Sequence, residues 1–283
     1  MTSISVVIPS RNDATMLRAC LQALAEQTRP ADQIIVVDNG STDDTAAVAR
    51  AAGVQVVFEP IPGIFRATSA GFDAATGDII ARLDADSVPP ADWLERVDDI
   101  MVQLPPLTAV TGAVEFYGAS SVVRWLGRKL YIGGMYWSTN LLLGHPMVFG
   151  SNFAMPAGIW RRVRGSVNRT VREIHDDLDL SWHLEPDMDV VYDRELLVQI
   201  SARPFDSLAT LGRRVAWVYT TLALDFAEQS PLERRRARRS HANAATAAST
   251  STSTNMNTNA ANTTDTALDS IDGVPDESDG LVA

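Results

Sequence analysis

Ile34-Ile35-Val36-Val37-Asp38-Asn39-Gly40-Ser41 decides the fold, because four consecutive β-branched apolar residues run straight into a turn. A strand that is apolar without alternation is covered on both faces, the condition of strands in a parallel sheet between helices. Towards the N-terminus, Leu17, Cys20, Leu21 and Leu24 recur at helical spacing and mark one buried helix face. Before them Ile4 to Ile8 forms another apolar run, closed by Pro9. Towards the C-terminus, Ser41 and Asp44 read as a capping arrangement launching a helix through Arg50, and Gly53 precedes a third run, Val54 to Phe58. The order is β-α-β-α-β, so an α/β fold with a parallel sheet is expected.

Further outward, a helix is predicted from Thr68 to Ala75, stopped at Gly77, and the run Asp78 to Leu83 enters Asp84-Ala85-Asp86. Pro89 and Pro90 then open an amphipathic segment carrying Trp93, Leu94, Val97, Ile100 and Met101. The acidic pair thereby sits at a strand's carboxyl end, where open α/β sheets bind ligands. Residues 108–149 are less regular, with Trp125, Tyr131, Tyr136, Trp137 and Leu141 to Leu143, and read as a partly exposed wall or lid. Core packing, sugar stacking and a membrane surface are all open readings of these aromatics. Residues 206–239 are predicted to form an amphipathic helical hairpin, with Trp217, Tyr219, Leu222, Leu224 and Phe226 followed by Arg234, Arg235, Arg236, Arg238 and Arg239. That basic run suits either anionic lipid headgroups or a solvated helix end. From His241 the chain is Ala, Ser, Thr and Asn with few bulky apolar residues, so burial cannot offset its ordering entropy and a disordered tail is expected. The predicted division is a catalytic-type α/β domain over 1–205, a helical segment over 206–240 and an acidic tail over 241–283.

With 46% hydrophobic and 21% charged residues in 283, the chain is ordinary for a globular protein and long enough for a full α/β core. Six of its acids (Asp265, Asp269, Asp272, Asp276, Glu277 and Asp279) lie in the tail, which has no Lys or Arg. Without them the net charge of -11 falls to about -5 for residues 1–240. That mild acidity excludes a nucleic-acid partner as the main function. Cys20 is the single cysteine, so no intrachain disulfide forms, and its apolar neighbours make it a core residue. Met1 to Ser10 lacks the basic start and long apolar stretch of a signal peptide, and no run reaches the roughly 18 apolar residues of a membrane span. A cytoplasmic site is expected, with at most peripheral contact at the inner face of the plasma membrane.

Three acidic clusters follow apolar segments: Asp38, then Asp84 with Asp86, then Asp176, Asp177 and Asp179. Mg²⁺ or Mn²⁺ takes hard oxygen ligands, commonly one or two carboxylates together with substrate phosphates, and an Asp-x-Asp turn supplies them. On the residues alone, Asp38 reads first as the cap of the Asn39-Gly40 turn, and the third cluster reads equally as a helix start or as part of a site. His175 and His183 are candidate metal ligands, with a structural role the commoner reading.

The chain resembles the family 2 glycosyltransferases of GT-A fold. The resemblance runs in order through Val6-Val7-Ile8-Pro9-Ser10-Arg11-Asn12, Val36-Val37-Asp38-Asn39-Gly40-Ser41-Thr42-Asp43, Ala75-Thr76-Gly77-Asp78, Leu83-Asp84-Ala85-Asp86, Gly150-Ser151-Asn152 and Asp176-Asp177-Leu178-Asp179-Leu180. It implies a mostly parallel central sheet and an inverting transfer from a nucleoside-diphosphate sugar (a UDP- or GDP-sugar) to a hydroxyl of a glycan or lipid-linked acceptor. It implies Pro9, Ser10 and Asn12 around the nucleotide, Asp38 on the base, Asp84 on the ribose or metal, and Asp86 on a Mg²⁺ or Mn²⁺ ion. Asp177 would be the general base, with Gly150, Asn152 and Asp176 towards the acceptor. Thr68-Ser69 stands where relatives carry Arg-Asn, and Arg66 is the residue expected to reach the diphosphate instead. Asp176 stands where Glu is common, and no Gln-x-x-Arg-Trp motif of processive polymerases is present.

Two other readings compete. A sugar nucleotidyltransferase would need a Gly-rich basic loop after the first strand, and Pro9-Ser10-Arg11-Asn12-Asp13 is not one. A non-catalytic nucleotide-sugar-binding module is disfavoured by the presence of Asp84, Asp86 and Asp177. A Rossmann dehydrogenase would need G-x-G-x-x-G at the first turn, which is lacking.

Overall fold

A computed structural model describes residues 2–120, 124–125, 127, 132–203 and 207–244. The chain divides into two compact units, Met1–Arg238 and Arg239–Ala283. In the second unit residues 239–244 are helical, while the rest of the predicted tail, from 245 onward, lies outside the described residues, as does Tyr131.

The first unit is built on one eight-stranded sheet. In chain order its elements are β1 (Ile4–Ser10), α1 (Ala14–Ala25), β2 (Gln33–Asp38), α2 (Thr45–Ala51), β3 (Gln55–Phe58), α3 (Ile64–Ala74), β4 (Ile79–Arg82), β5 (Ser87–Val88), α4 (Trp93–Gln103), β6 (Thr108–Tyr117), α5 (Gly133–Leu143), β7 (Phe153–Pro156), α6 (Ala157–Val163), α7 (Asp176–Trp182), β8 (Asp189–Ser201) and α8 (Leu208–Glu228). A further helix begins at residue 231 and reaches the end of this unit. The strand order is β3-β2-β1-β4-β7-β6-β8-β5. β3, β2, β1 and β4 are parallel, β7 runs antiparallel to both β4 and β6, and β8 is parallel to β6. The α/β architecture expected from the apolar runs is what forms, with the sheet mixed beyond β4.

Every residue of β1 is buried, as its unbroken apolar pattern requires. Ile4, Val6 and Ile8 pack with Leu17, Cys20, Leu21 and Leu24 of α1 and with Trp93, Leu94 and Val97 of α4. Val7, Ile35 and Val37 face the other way, against Phe65 and Phe72 of α3 and Trp160 of α6. The period of two along a strand therefore distributes the core over both faces.

Several local expectations are corrected. α2 begins at Thr45, and its N-cap residue Asp44 makes no side-chain cap bond; the Asp43 carboxylate accepts the Thr45 amide (3.0 Å), and Ser41 Oγ accepts the Asn12 amide (3.1 Å). α3 starts at Ile64, four residues before the predicted Thr68, because Phe65 and Ala67 extend its buried face. The supposedly irregular stretch 108–149 opens with a ten-residue strand, β6, paired with β8 from Thr108↔Asp189 to Tyr117↔Ser201. The basic run is only partly available to solvent or lipid. Arg234 is buried, and its guanidinium donates to the carbonyls of Ser181 (3.0 Å), Trp182 (2.9 Å) and Leu143. These carbonyls close α7 and α5, where a cation complements the helix dipole. Arg238 likewise donates to the Met188 carbonyl (2.9 Å). Among the described residues no helix is long and apolar enough to cross a membrane.

The β6–β8 register slips at Gly112/Ala113. Asn152 fills the irregularity, its Nδ2 donating to the Ala113 carbonyl (2.9 Å) and the Leu196 carbonyl (2.7 Å). A Cβ on Gly112 would overlap the Leu196 carbonyl and the Asn152 amide, with Asn152 Cγ at 2.9 Å. Overpacking of this kind costs about 1–3 kcal/mol or more, so Gly112→Ala should lower the denaturant midpoint by a corresponding amount. An unchanged midpoint would show that the slip has no such tight contact.

Candidate active site

The Asp84-Ala85-Asp86 turn leaves the carboxyl end of β4, next to the point where the parallel order gives way to antiparallel β7. Its backbone is fixed on both sides. The Asp84 amide donates to Ser87 Oγ (3.2 Å), the Ser87 amide returns to the Asp84 carbonyl (3.0 Å), and Tyr117 donates its hydroxyl to the Asp86 carbonyl (2.9 Å).

Arg82, inside β4, is 2% exposed, which is exceptional for an arginine and demands partners. Its Nη2 lies 2.9 Å from Asp84 Oδ1 and its Nη1 2.9 Å from Asp176 Oδ2. Burial opposes its charge, but Asp176, Asp84 and Asp177 outweigh that and hold the guanidinium protonated. Asp176 also accepts from Thr68 Oγ1 (2.7 Å), which gives the Thr68-Ser69 departure a structural use. Burial pushes the Asp176 carboxyl up, Arg82 pulling the other way.

Gly150-Ser151 joins the two acidic clusters from the side. Ser151 Oγ donates to Asp84 Oδ2 (2.6 Å), and the Gly150 amide donates to Asp177 Oδ2 (3.1 Å). The Leu178 amide holds Asp177 Oδ1 (2.9 Å), so the carboxylate is oriented by two backbone donors. Opposite, Arg203 bridges Asp13 (2.5 Å) and Asp86 Oδ2 (3.0 Å). Burial and the neighbouring Asp84 push the Asp86 carboxyl up to about 6 despite Arg203.

These groups share a cavity of about 590 Å³. Of the predicted residues, Pro9, Ser10, Asp84, Asp86, Gly150, Asp176 and Asp177 line it. Asn12, Asp38, Arg66 and Asn152 do not. Asn12 Oδ1 accepts the Thr42 amide (2.8 Å), and Asp38 Oδ1 accepts the Ser41 amide (2.9 Å), the turn-capping role that the residues alone suggest. Arg66 lies on α3 and does not line the cavity, although its neighbours Ile64 and Ala67 do. Asn152 is fully buried, bonded to β6, β8 and Trp93 Nε1 (2.9 Å), which leaves its amide no free group for an acceptor. His175 lines the cavity, but its Nε2 contacts the Arg214 carbonyl (3.0 Å) and its ring lies edge-on to Trp217.

The sequence patterns did not single out Arg82 or Arg203; the far wall is formed by Met135 and Thr139 of α5, in the stretch 108–149 expected to be a wall or lid, with Arg214, Trp217 and Val218 of α8. A lone arginine inside the apolar run Ile79 to Leu83 was the signal for Arg82. Arg203 had none, since its partners lie 190 and 117 residues away.

The model of the family described as Glycosyl transferase family 2 matches residues 5–160, more than half of the chain. The chain belongs to glycosyl transferase family 2. An uncharacterised glycosyltransferase of Mycobacterium tuberculosis is 38% identical over 135 residues, 48% of this chain and 52% of that one. A PGL/p-HBAD biosynthesis glycosyltransferase of Mycobacterium bovis is 35% identical over 130 residues, 44% and 50% of the two chains. This family 2 chain thus spans about half the length of these curated relatives. The crystal structure of glucosyl-3-phosphoglycerate synthase from M. tuberculosis with Mn²⁺, UDP and phosphoglyceric acid superposes with a TM-score of 0.57 at 20% identity. The match covers 79% of this chain and 78% of that one, and shows the GT-A fold. The family match ends before α7 and α8, so the placement of Asp176, Asp177 and Arg203 rests on the geometry above.

If Arg82 is the shared counter-ion, removing it strands buried carboxylates. Arg82→Met should cost about 3–5 kcal/mol in stability. Adding Asp176→Asn to that variant should cost less than Asp176→Asn alone, a coupling of about 0.5–3 kcal/mol in a double-mutant cycle. Strict additivity would contradict the pairing.

Proposed function

We propose that the protein is an inverting glycosyltransferase that moves a sugar from a UDP- or GDP-sugar to a hydroxyl of a glycan or lipid-linked acceptor in the cell envelope. One observation carries the reading: Asp84, Asp86 and Asp177, from two distant segments, face one cavity at the carboxyl end of β4. The transferase domain is read as 1–205 and the segment 206–240 as the carrier of the α8 part of the far wall.

A divalent cation fits the turn. The Asp86 and Asp84 carboxylates are hard oxygen donors, and a cationic guanidinium already lies 3.0 Å from Asp86. Asp86, with Asp84, would hold Mg²⁺ or Mn²⁺, which when bound supplies Lewis-acid stabilisation of the diphosphate leaving group. Arg203 would exchange Asp86 for the diphosphate oxygens, where its planar fork gives bidentate contacts. Pro9 and Ser10 border the nucleotide end.

Asp177 takes the acceptor proton. Its carboxylate is fixed by the Gly150 and Leu178 amides and keeps lone pairs free towards the cavity. Asp176, neutralised by Arg82, positions the helix start rather than reacting. With one base and a single in-line attack, the anomeric centre inverts. Met135, Met147, Phe149, Trp217 and Val218 give the lining apolar surface beside Thr139 and Arg214, which suits an acceptor carrying an apolar portion. An envelope acceptor agrees with the named biosynthetic role of the M. bovis relative.

Asp177→Asn should lower turnover by about 10²- to 10⁴-fold while donor binding is largely kept. Wild-type turnover in that variant would remove the assignment. A thermal-shift series with UDP-, GDP- and dTDP-sugars should find a donor that stabilises the protein only with Mn²⁺ or Mg²⁺, and Asp86→Asn should abolish that metal dependence. Equal metal-dependent stabilisation of Asp86→Asn would place the cation elsewhere.

A further inference from the structure

A second constellation lies at the other end of α7, outside the cavity just described. α7 and its C-cap present Asp179 and His183, four residues apart and so on one helix face; α8 presents Asp225 and Glu228, three apart. One ligand atom from each of Asp179, His183 and Asp225 lies within 4.8 Å of the others. Pairs of carboxylate and imidazole ligands on facing helices are how helical proteins build metal sites.

Asp225 is the observation that asks for a ligand. It is fully buried, and neither carboxylate oxygen has a hydrogen-bond partner among the described residues. A buried carboxylate without a partner is costly, and native structures fill such positions with a proton, a water or a cation. Asp179 is equally buried, its two oxygens oriented by the Asn168 amide (3.0 Å) and Asn168 Nδ2 (2.6 Å). His183 Nδ1 stands 3.4 Å from Asp179 Oδ2, and Nε2 stands 2.9 Å from Glu228 Oε2. Nδ1 also contacts the Asp179 carbonyl (2.8 Å), so with Nε2 held by the Glu228 carboxylate an ion would take Nδ1 from that carbonyl, leaving the carboxylate–imidazole pair that orients metal-bound histidine. Three carboxylates thus surround one imidazole. The nearby Arg234 guanidinium is occupied by the carbonyls of Ser181, Trp182 and Leu184. Burial, together with the adjacent Asp179 carboxylate, pushes the Asp225 carboxyl up, with His183 pulling the other way. A separate cavity of about 250 Å³ is bordered by His183 and Glu228.

We propose that Asp179, His183 and Asp225 form a binding site for a divalent transition-metal ion of the Zn²⁺ type, with Glu228 holding the imidazole. The single nitrogen donor favours such an ion over Mg²⁺. The site ties α7, which carries Asp176 and Asp177 at its first turn, to α8 and does not depend on the reaction proposed above.

The test uses the full chain, stripped with EDTA and titrated with Zn²⁺ alone, without nucleotide. Calorimetry should give one Zn²⁺ per chain for the wild type and equally for Asp86→Asn, which separates this site from the Asp84/Asp86 turn. Asp225→Asn and His183→Gln should weaken binding by at least about 100-fold, the upper end of what losing an outer-shell partner costs. Glu228→Gln, at a half-exposed position that does not endanger folding, should weaken it by about 10- to 100-fold. The proposal fails if the wild type binds no stoichiometric Zn²⁺ or if Asp86→Asn abolishes binding. It fails equally if Glu228→Gln and whichever of the other two variants folds keep wild-type affinity.

Discussion

The Arg82 guanidinium is the constraint on which the site depends. Placed inside β4, it can be charged only because Asp84 and Asp176 lie against it, and those acids can stay close together only because it lies between them. Even Gly150 is fitted to it, since a Cβ there would come 2.5 Å from Arg82 Nη1. The strand end, the Gly150-Ser151 segment and the start of α7 are thereby locked into one arrangement. That arrangement turns Asp86 and Asp177 into the same cavity while their immediate neighbours are neutralised.

How much of this could be read from the residues follows from what each pattern reports. Unbroken apolar runs report burial on two faces, so β1, β2 and β4 and the place of Asp84 and Asp86 were readable. β6 and β8 were not. β6 is interrupted by the Gly112 irregularity, and β8 mixes exposed Arg194 and Glu195 with buried Leu196 and Val198, so neither repeats cleanly. The family motifs located the acidic clusters but could not say which polar residue serves the fold. Asn152 and Asp38 lie in such motifs, yet both use their side chains on backbone groups, Asn152 on distant β6 and β8 and Asp38 on its own turn. Arg203 reaches Asp86 only through the folded chain, and no local pattern encodes that contact.

Two cationic devices with different logic emerge. At the Asp84/Asp86 turn an arginine holds the place next to a partly exposed carboxylate, an arrangement that can exchange when a polyphosphate arrives. At Asp179, His183 and Asp225 an imidazole and the nearby Arg234 face buried acids of which Asp225 has no hydrogen-bond partner among the described residues, an arrangement that suits a resident ion. α7 connects them: its first turn faces the proposed chemistry and its last turn is held by Arg234 and His183.

The most direct measurement is an anomalous difference map from crystals grown with Mn²⁺ and a nucleoside diphosphate. The account expects a peak beside the Asp86 carboxylate and the diphosphate, with Arg203 withdrawn from Asp86 and Asp177 facing the same cavity. Nucleotide bound with Arg203 still clamped on Asp86 and no metal at that carboxylate would contradict it.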